Sequence, residues 1–153
     1  EKKIKIIPIP LSNKENTFQE MHELNFVEGG ALNTFGEKFD FEGKVFNQNM
    51  KYSLLGTTMN YFIENSILDI PDYIKIDVDG IEHLILEGMK EILQSDNCYS
   101  VFVEVNDDFH DQATQVNKIL TQSGFELSEK THAEMHEHST KYSKTFNQIW
   151  FKV

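Results

Sequence analysis

The sequence predicts a single α/β domain that spans residues 1–153. Between residues 73 and 123, apolar strand-like segments alternate with segments whose apolar residues recur at helical spacing. Strands that are separated by helices usually form a parallel sheet with helices on its faces. The last two strand-like segments have no helix between them, which predicts an antiparallel hairpin at one edge. We therefore expect a mostly parallel sheet that ends in a hairpin.

The first third of the chain predicts little regular structure. Ile4 to Leu11 alternates in part but contains Pro8 and Pro10, and this pattern is typical of an edge strand or of a strand that runs into a turn, because proline lacks an amide donor. Residues 12–42 are polar and contain several glycines, which predicts a long irregular excursion. Loops of such length in a compact domain are usually functional or mobile. We expect this excursion to shape a pocket.

The rest of the chain predicts a regular succession of strands and helices. Apolar periodicity, the N-cap residues Thr57 or Thr58, and Gly124 as a left-handed helix end set the boundaries. The predicted elements are a strand over residues 45–55, a short helix from residue 59, a strand over 73–78, a helix over 81–93, a strand over 101–105, a helix over 111–123, and strands over 126–131 and 145–153.

The composition limits the possible partners. The chain has 14 basic and 25 acidic residues, with a formal net charge of −11, which argues against a nucleic-acid partner. No run of 18 apolar residues occurs, so we expect no membrane span. Cys98 is the only cysteine, so no intrachain disulfide can form, and this favours a reducing compartment such as the cytoplasm.

Carboxylates follow the predicted strand at residues 73–78. Asp77 lies at the end of an apolar segment, and Asp79 follows in the turn before Gly80. Ligands of open α/β sheets bind at the carboxyl ends of strands, so Asp77 is predicted to serve a site. Asp79 has a second interpretation, because with Glu82 three residues later it matches a helix capping box.

The next predicted strand also ends in polar residues. Glu104, Asn106, Asp107 and Asp108 follow its apolar part. Adjacent strands lie about 4.8 Å apart, so Glu104 and Asn106 could converge with Asp77. Such oxygen ligands would suit a hard ion such as Mg²⁺. The alternative is that Asn106 to Asp108 cap the following helix.

The segment Ile74-Lys75-Ile76-Asp77-Val78-Asp79-Gly80-Ile81-Glu82 resembles the signature of the FkbM family of S-adenosylmethionine-dependent methyltransferases. That family typically reads K-I-D-V-E-G-A-E, followed by a helix with an apolar-x-G element, to which Leu86-Glu87-Gly88 is similar. Weaker similarities cover Pro8 to Ser12, Gly30 to Phe35, Thr57 to Asn60 and Val101 to Glu104.

The resemblance implies a Rossmann-like class I methyltransferase sheet and S-adenosylmethionine as the cofactor. It implies O-methylation of a hydroxyl group on a small molecule or a glycan. Carried over by position, Asp77 and Glu104 are expected to be catalytic, and Asp77 and Ser12 to bind the cofactor. Asp79, Glu82 and Asn106 are expected to bind the acceptor. A carboxylate with an ordinary pKa is a poor base for an alcohol, so Mg²⁺ could assist.

The sequence departs from the family pattern in three ways. Asp79 replaces the usual Glu, and Asn60 stands where the family often has Asp. The glycines at positions 29, 30 and 36 form no cofactor loop after a strand. We therefore expect the chain to represent the carboxyl-terminal part of the domain, with the amino-terminal strands missing. The strand at 73–78 would then lack a neighbour, and either Ile4 to Leu11 or another chain, as in a homo-oligomer, would fill its edge.

Other functions also fit parts of the sequence. Asp77-Val78-Asp79-Gly80 resembles the first motif of haloacid-dehalogenase-like phosphatases, in which the first Asp is a nucleophile, the second is a general acid, and Mg²⁺ is bound. Without a glycine loop, the chain could instead be a non-catalytic remnant or interaction module. His132 and His136 would share a helical face and could hold zinc, but the surrounding polar residues favour an exposed hairpin loop.

Overall fold

The computed structural model describes residues 4–25, 28, 30–47, 50–133 and 139–153. The described elements are β1 (Thr17–Glu23), β2 (Thr34–Phe35), β3 (Met50–Gly56), α1 (Met59–Glu64), β4 (Tyr73–Ile76), α2 (Glu82–Glu87), α3 (Lys90–Gln94), β5 (Ser100–Asn106), α4 (His110–Gln122), β6 (Phe125–Thr131) and β7 (Thr145–Lys152).

The larger sheet has four strands in the order β4-β5-β7-β6. β4 and β5 are parallel, whereas β7 runs antiparallel to both of its neighbours, β5 and β6. The α/β class and the closing hairpin are thus confirmed. The expectation of a mostly parallel sheet is confirmed in part, because the described strands form a mixed sheet in which β4 and β5 are a parallel pair and β7 is reversed.

The main core lies on one face of this sheet. Alternate β5 residues Val101, Val103 and Val105 point to that face and are at most 1% exposed. They meet the apolar sides of α2, α3 and α4, whose fully buried residues include Leu86, Leu93 and Leu120. The packing fixes β5 against the helices, so the carboxyl ends of β4 and β5 are held in a defined position.

A second sheet occupies part of the segment that was expected to be irregular. β1 pairs antiparallel with β3 along its whole length and with β2 through two residues, giving the order β2-β1-β3. The expectation of a long excursion without strands over residues 12–42 is therefore wrong. The polar residues of β1 conceal the strand, since one of its faces is partly covered and its sequence contains three charged or amide side chains, Gln19, Glu20 and Glu23, and one histidine.

The helix predicted over residues 81–93 is divided into α2 and α3 at Gly88 and Met89. The carbonyl oxygen of Ser12 packs against Gly88 so closely that a Cβ atom would not fit there. The Gly88 carbonyl accepts a hydrogen bond from the backbone amide of Asn60 at 3.2 Å. Tertiary contacts from two other segments thus interrupt the helix at its glycine.

Two predicted helix ends are confirmed. Thr58 is the N-cap of α1, and its Oγ1 accepts the backbone amide of Tyr61 at 3.1 Å. Gly124 follows α4 with a φ of 82°, the left-handed conformation that glycine tolerates. Both ends depend on local chemistry alone, which explains why the sequence could locate them.

The prediction that Ile4 to Leu11 forms an edge strand, and its use to fill the edge of β4, are both wrong. The segment contributes one isolated parallel bridge, between Leu11 and Thr57. Among the described strands, β4 pairs only with β5. An edge covered by another chain, as in a homo-oligomer, stays a prediction. In the described part of the chain, no helix is both long and apolar enough to span a bilayer.

Candidate functional site

Two adjoining cavities lie at the carboxyl end of β4. Their volumes are about 430 Å³ and 380 Å³, and both are lined by Leu11, Asp77, Val78 and Ile85. The first runs along the open edge of β4 past Tyr73 to Ile76, and the second extends beneath Asn33 and Phe35. Both volumes fall in the range of small-molecule sites, and the walls are mainly apolar.

Asp77 lies where the two cavities meet. It directly follows β4, and its side chain is 49% exposed. Its Oδ2 forms an ion pair with Lys75 Nζ at 2.8 Å. Lys75 lies two residues earlier, so its side chain is on the same face of the strand. Both side chains are solvated, so breaking this ion pair costs little free energy, and Lys75 does not block access to Asp77. The sequence placed Asp77 at the strand end, and the structure places it there.

Asp79 anchors the segment that covers the second cavity. Its Oδ2 accepts the backbone amides of Leu32 at 2.6 Å and Asn33 at 3.2 Å. Burial raises the pKa of Asp79 above its usual value, although these two hydrogen bonds oppose that effect. Asp79 also lines the second cavity. The capping-box interpretation of Asp79 is wrong, since α2 begins after Ile81 without a side-chain cap.

Glu104 lies on β5 beside these acids. Burial, followed by the nearby charges of Asp77 and Asp79, raises its pKa, while Lys75 acts in the opposite direction. A raised pKa makes a carboxylate a stronger proton acceptor than an exposed one. Glu104 does not line either of the two large cavities but a third, much smaller one behind them.

Glu82 and Asn106 belong to a buried polar network. Glu82 is 1% exposed, and its carboxyl oxygens accept hydrogen bonds from Gln112 Nε2 and from the Gly80 amide at 3.4 Å. Gln112 Oε1 accepts the Asn106 amide at 2.9 Å. Burial raises the pKa of Glu82 to about 8, more than these hydrogen bonds lower it. Glu82 is thus neutral at pH 7.

Asn106 continues this network to the loop at Phe41. Its Nδ2 donates to the Phe41 carbonyl at 3.1 Å, and its Oδ1 accepts the Asp108 amide at 3.1 Å. α4 begins after Phe109 without a side-chain cap, so the alternative that Asp107 and Asp108 cap it is wrong. The assignments of Glu82 and Asn106 to acceptor binding stay predictions. Their described contacts connect the ends of β4 and β5 to each other and to the loop at Phe41.

Ser12 is buried next to Leu11, behind the cavities. Its Oγ accepts hydrogen bonds from Gln19 Nε2 at 2.9 Å and from the Lys14 amide at 3.1 Å. The side chain is only 2% exposed. Cofactor binding by Ser12 stays a prediction, and its described contacts hold the turn that places Leu11 in both cavities.

Sequence reasoning did not identify Gln112 or the partner of the Gly80 turn. Gln112 is 2% exposed and lies one helical turn before Val116 in the buried stripe of α4, so periodicity could have indicated it. Gly80 has a φ of 111° and packs against the backbone of Asp40 and Phe41, which leaves no room for a side chain. Nothing in the local sequence indicates this long-range contact.

The described residues provide no set of side chains that could bind a metal ion. Among those residues, no group of three or more His, Cys, Asp or Glu side chains is arranged to hold a metal ion. Instead, His132 Nδ1 donates a hydrogen bond to the Thr145 carbonyl at 3.0 Å, and the His132 ring stacks on Phe146. His136, the other half of the predicted zinc pair, lies outside the described residues, as does most of the predicted exposed loop.

The comparisons with known proteins agree with the strand-end motif. Residues 55–127 match the family model described as the methyltransferase FkbM domain, and the match covers part of the chain. The matched region contains Asp77, Asp79, Glu82, Glu104 and Asn106, whereas Ser12 lies outside it. The resemblance read from the sequence is confirmed, and it indicates a methyltransferase. No curated protein and no solved structure gives a significant match.

Proposed function

We propose that this chain is a methyltransferase domain of the FkbM type that uses S-adenosylmethionine to methylate a hydroxyl group on a small molecule or a sugar. The observation that carries the proposal is the family match across β4, the Gly80 turn and α2, the segment that brings Asp77 to two adjoining cavities. The sheet order β4-β5-β7-β6, in which β7 between β5 and β6 is the single reversed strand, supports a Rossmann-like arrangement.

The residues around the cavities suit this cofactor chemically. Apolar side chains such as Leu11, Phe35 and Ile85 offer surfaces for a flat base, and Asp77 and Asp79 offer negative charge to a cationic group. When bound, S-adenosylmethionine supplies a methyl group on a positively charged sulfur. Asp77 would hold the cationic part, and Ser12 would keep the turn at residues 11–14 against the same cavity.

In such a reaction, the residues of this chain align the acceptor with the methyl donor and place charged side chains around both. Asp79 holds residues 32 and 33 over the second cavity, so it limits access of water from that side. Asp77 reaches both cavities, so its carboxylate can orient an acceptor hydroxyl in one against a donor in the other. Both roles follow from positions at the end of one strand.

The proton of the acceptor hydroxyl needs a place to go. Asp77 is exposed and is paired with Lys75, whereas burial and neighbouring charges raise the pKa of Glu104. We assign to Asp77 both the contact with the acceptor and the uptake of its hydroxyl proton as the methyl group is transferred. Glu104 beside it adds negative charge that favours the protonated form of Asp77. Magnesium gains no support from the described residues. Neither the comparisons nor the structure favours the phosphatase alternative.

Titration calorimetry with S-adenosylmethionine tests the proposal. The chain should bind the cofactor, and Asp77→Asn should weaken binding by about tenfold or more, because one charged contact is worth roughly 1.5–3 kcal/mol. Asp96→Asn is the matched control, since it removes the same charge from an exposed turn away from the cavities. It should bind like the original chain.

Two results would count against the proposal. If the original chain shows no heat of binding, the chain alone is a non-catalytic module despite its family match. If Asp77→Asn and Asp96→Asn lose affinity equally, the cofactor does not contact the end of β4. Transfer of a labelled methyl group to candidate sugars and small alcohols then identifies the acceptor class.

A further inference from the structure

A third and much smaller cavity lies behind the candidate site, between the Gly80 turn, β5, β7 and α4. Its volume is about 10 Å³. The polar side chains that line it are those of Glu82, Glu104, Asn106, Gln112 and Thr145. Only about one water-sized sphere fits in such a space. Buried polar groups normally bond to one another or to water, so each polar side chain that lines this cavity is expected to have a partner.

Thr145 provides the clearest sign of a bound molecule. Its residue is 4% exposed, and its Oγ1 has no hydrogen-bond partner among the described residues. The backbone of Thr145 is fully occupied, since its amide donates to the Tyr142 carbonyl and its carbonyl contacts His132 Nδ1. A buried hydroxyl without a partner costs about 1–3 kcal/mol, so a partner for this hydroxyl is expected.

Glu82 needs a partner for a different reason. Burial keeps its carboxyl group protonated at pH 7, because its pKa lies at about 8. Its described hydrogen bonds come from Gln112 Nε2 and the Gly80 amide, and in both Glu82 is the acceptor. The proton that Glu82 carries therefore requires an acceptor. Glu104, on β5, lines the same cavity and is the titratable group that faces Glu82.

We propose that this cavity binds one ordered water molecule that joins Glu82, Glu104 and Thr145. The water accepts a hydrogen bond from the protonated carboxyl group of Glu82, donates one to the carboxylate of Glu104, and forms a third with Thr145 Oγ1. Three partners are the usual number for a buried water. This water site does not rest on methyl transfer, although the cavity shares Glu104 with the proposed site and links a neutral buried acid to that carboxylate.

The geometry favours water over a cation. A magnesium ion requires about six oxygen ligands near 2.1 Å. Here the Asn106 side chain is already bonded to Phe41 and Asp108, and the Gln112 side chain is bonded to Asn106 and Glu82. The groups facing Glu82 from α4 and β7, Gln112 and Thr145, are uncharged, so Glu104 alone supplies negative charge to the cavity.

A crystal structure and a carboxyl titration test this proposal. The crystal structure should show one density peak within hydrogen-bond distance of Thr145 Oγ1 and the Glu82 carboxyl group. Carbon-13 NMR of the glutamate carboxyl groups should show Glu82 titrating near pH 8. Thr145→Val removes the hydroxyl at nearly constant shape and should expel the water. The pKa of Glu82 should then fall by about one pH unit, because a hydrogen bond made by the protonated form is lost.

Thr145→Ser is the matched control, since it keeps the hydroxyl and should preserve both the peak and the titration. A peak surrounded by six oxygen atoms near the metal distance would overturn the proposal, as would no peak in the original chain. An unchanged pKa of Glu82 in folded Thr145→Val would also overturn it. If Thr145→Val does not fold, magnetisation transfer is measured from water to the Gly80 and Asn106 amides in the original chain. Transfer from a long-lived water supports the proposal, and its absence overturns it.

Discussion

Replacing Glu82 by Gln should flatten the dependence of stability on pH. The folded chain keeps Glu82 protonated up to about pH 8, whereas in the unfolded chain the group loses its proton near its ordinary value of 4.5. Between these two values, the folded state binds one more proton than the unfolded state. The stability that Glu82 contributes is therefore complete below pH 4.5 and is lost as the pH rises through 8.

The size of the effect follows from that interval. Each pH unit between the two pKa values corresponds to about 1.4 kcal/mol. An interval from 4.5 to about 8 therefore gives a decline in the free energy of unfolding of roughly 3–5 kcal/mol from this residue alone. Gln resembles the neutral acid and carries no titrating proton. Its amide can accept from Gln112 but would face the Gly80 amide with a donor, a cost of about 1 kcal/mol at every pH.

Urea unfolding at pH 5.0, 6.5 and 8.0 measures the effect. The difference in unfolding free energy between the original chain and Glu82→Gln should shift by about 3 kcal/mol or more in favour of the variant across this range. Exposed Glu91→Gln on α3 is the matched control and should follow the original chain at each pH. Parallel curves for the original chain and Glu82→Gln would refute the reasoning, because they would mean that Glu82 ionises normally in the folded state.

Two further predictions concern contacts that hold the site. Asp79→Ala removes the acceptor of the Leu32 and Asn33 amides, so hydrogen exchange at both should accelerate by about tenfold or more, while exposed Asp72→Ala leaves it unchanged. Equal protection in both variants would contradict this role. Thr58→Ala removes the cap of α1 and should lower the unfolding free energy in urea by about 1 kcal/mol, whereas Thr58→Ser, which keeps the oxygen, should change it much less.

The sequence predicted elements well where local chemistry decides them. The strand, turn and helix around Asp77 follow from apolar periodicity, and the ends of α1 and α4 follow from a threonine cap and a left-handed glycine. Asp77 itself was predicted from its place at the end of an apolar strand, and it lies between the two cavities. These features require only information within about ten residues of each position.

Features that depend on distant segments could not be predicted. β1 is stabilised by pairing with β3, some thirty residues away, and its polar sequence carries no strand signal. The break between α2 and α3 results from the Ser12 carbonyl packing on Gly88. The role of Asp79 likewise depends on Leu32 and Asn33, more than forty residues earlier. In each case the decisive partner lies in a segment whose own structure the sequence did not reveal.

The four acids at this sheet end are distinguished by their surroundings rather than by their residue type. Glu82 is buried and neutral, Asp79 is bonded to the covering segment, and Glu104 faces the small cavity. Asp77 alone among them is about half exposed and reaches both large cavities. A carboxylate that contacts a ligand must be accessible and must not already hold the fold together. Direct contact with a bound molecule therefore falls to Asp77, and the other three acids determine the shape and charge of its surroundings.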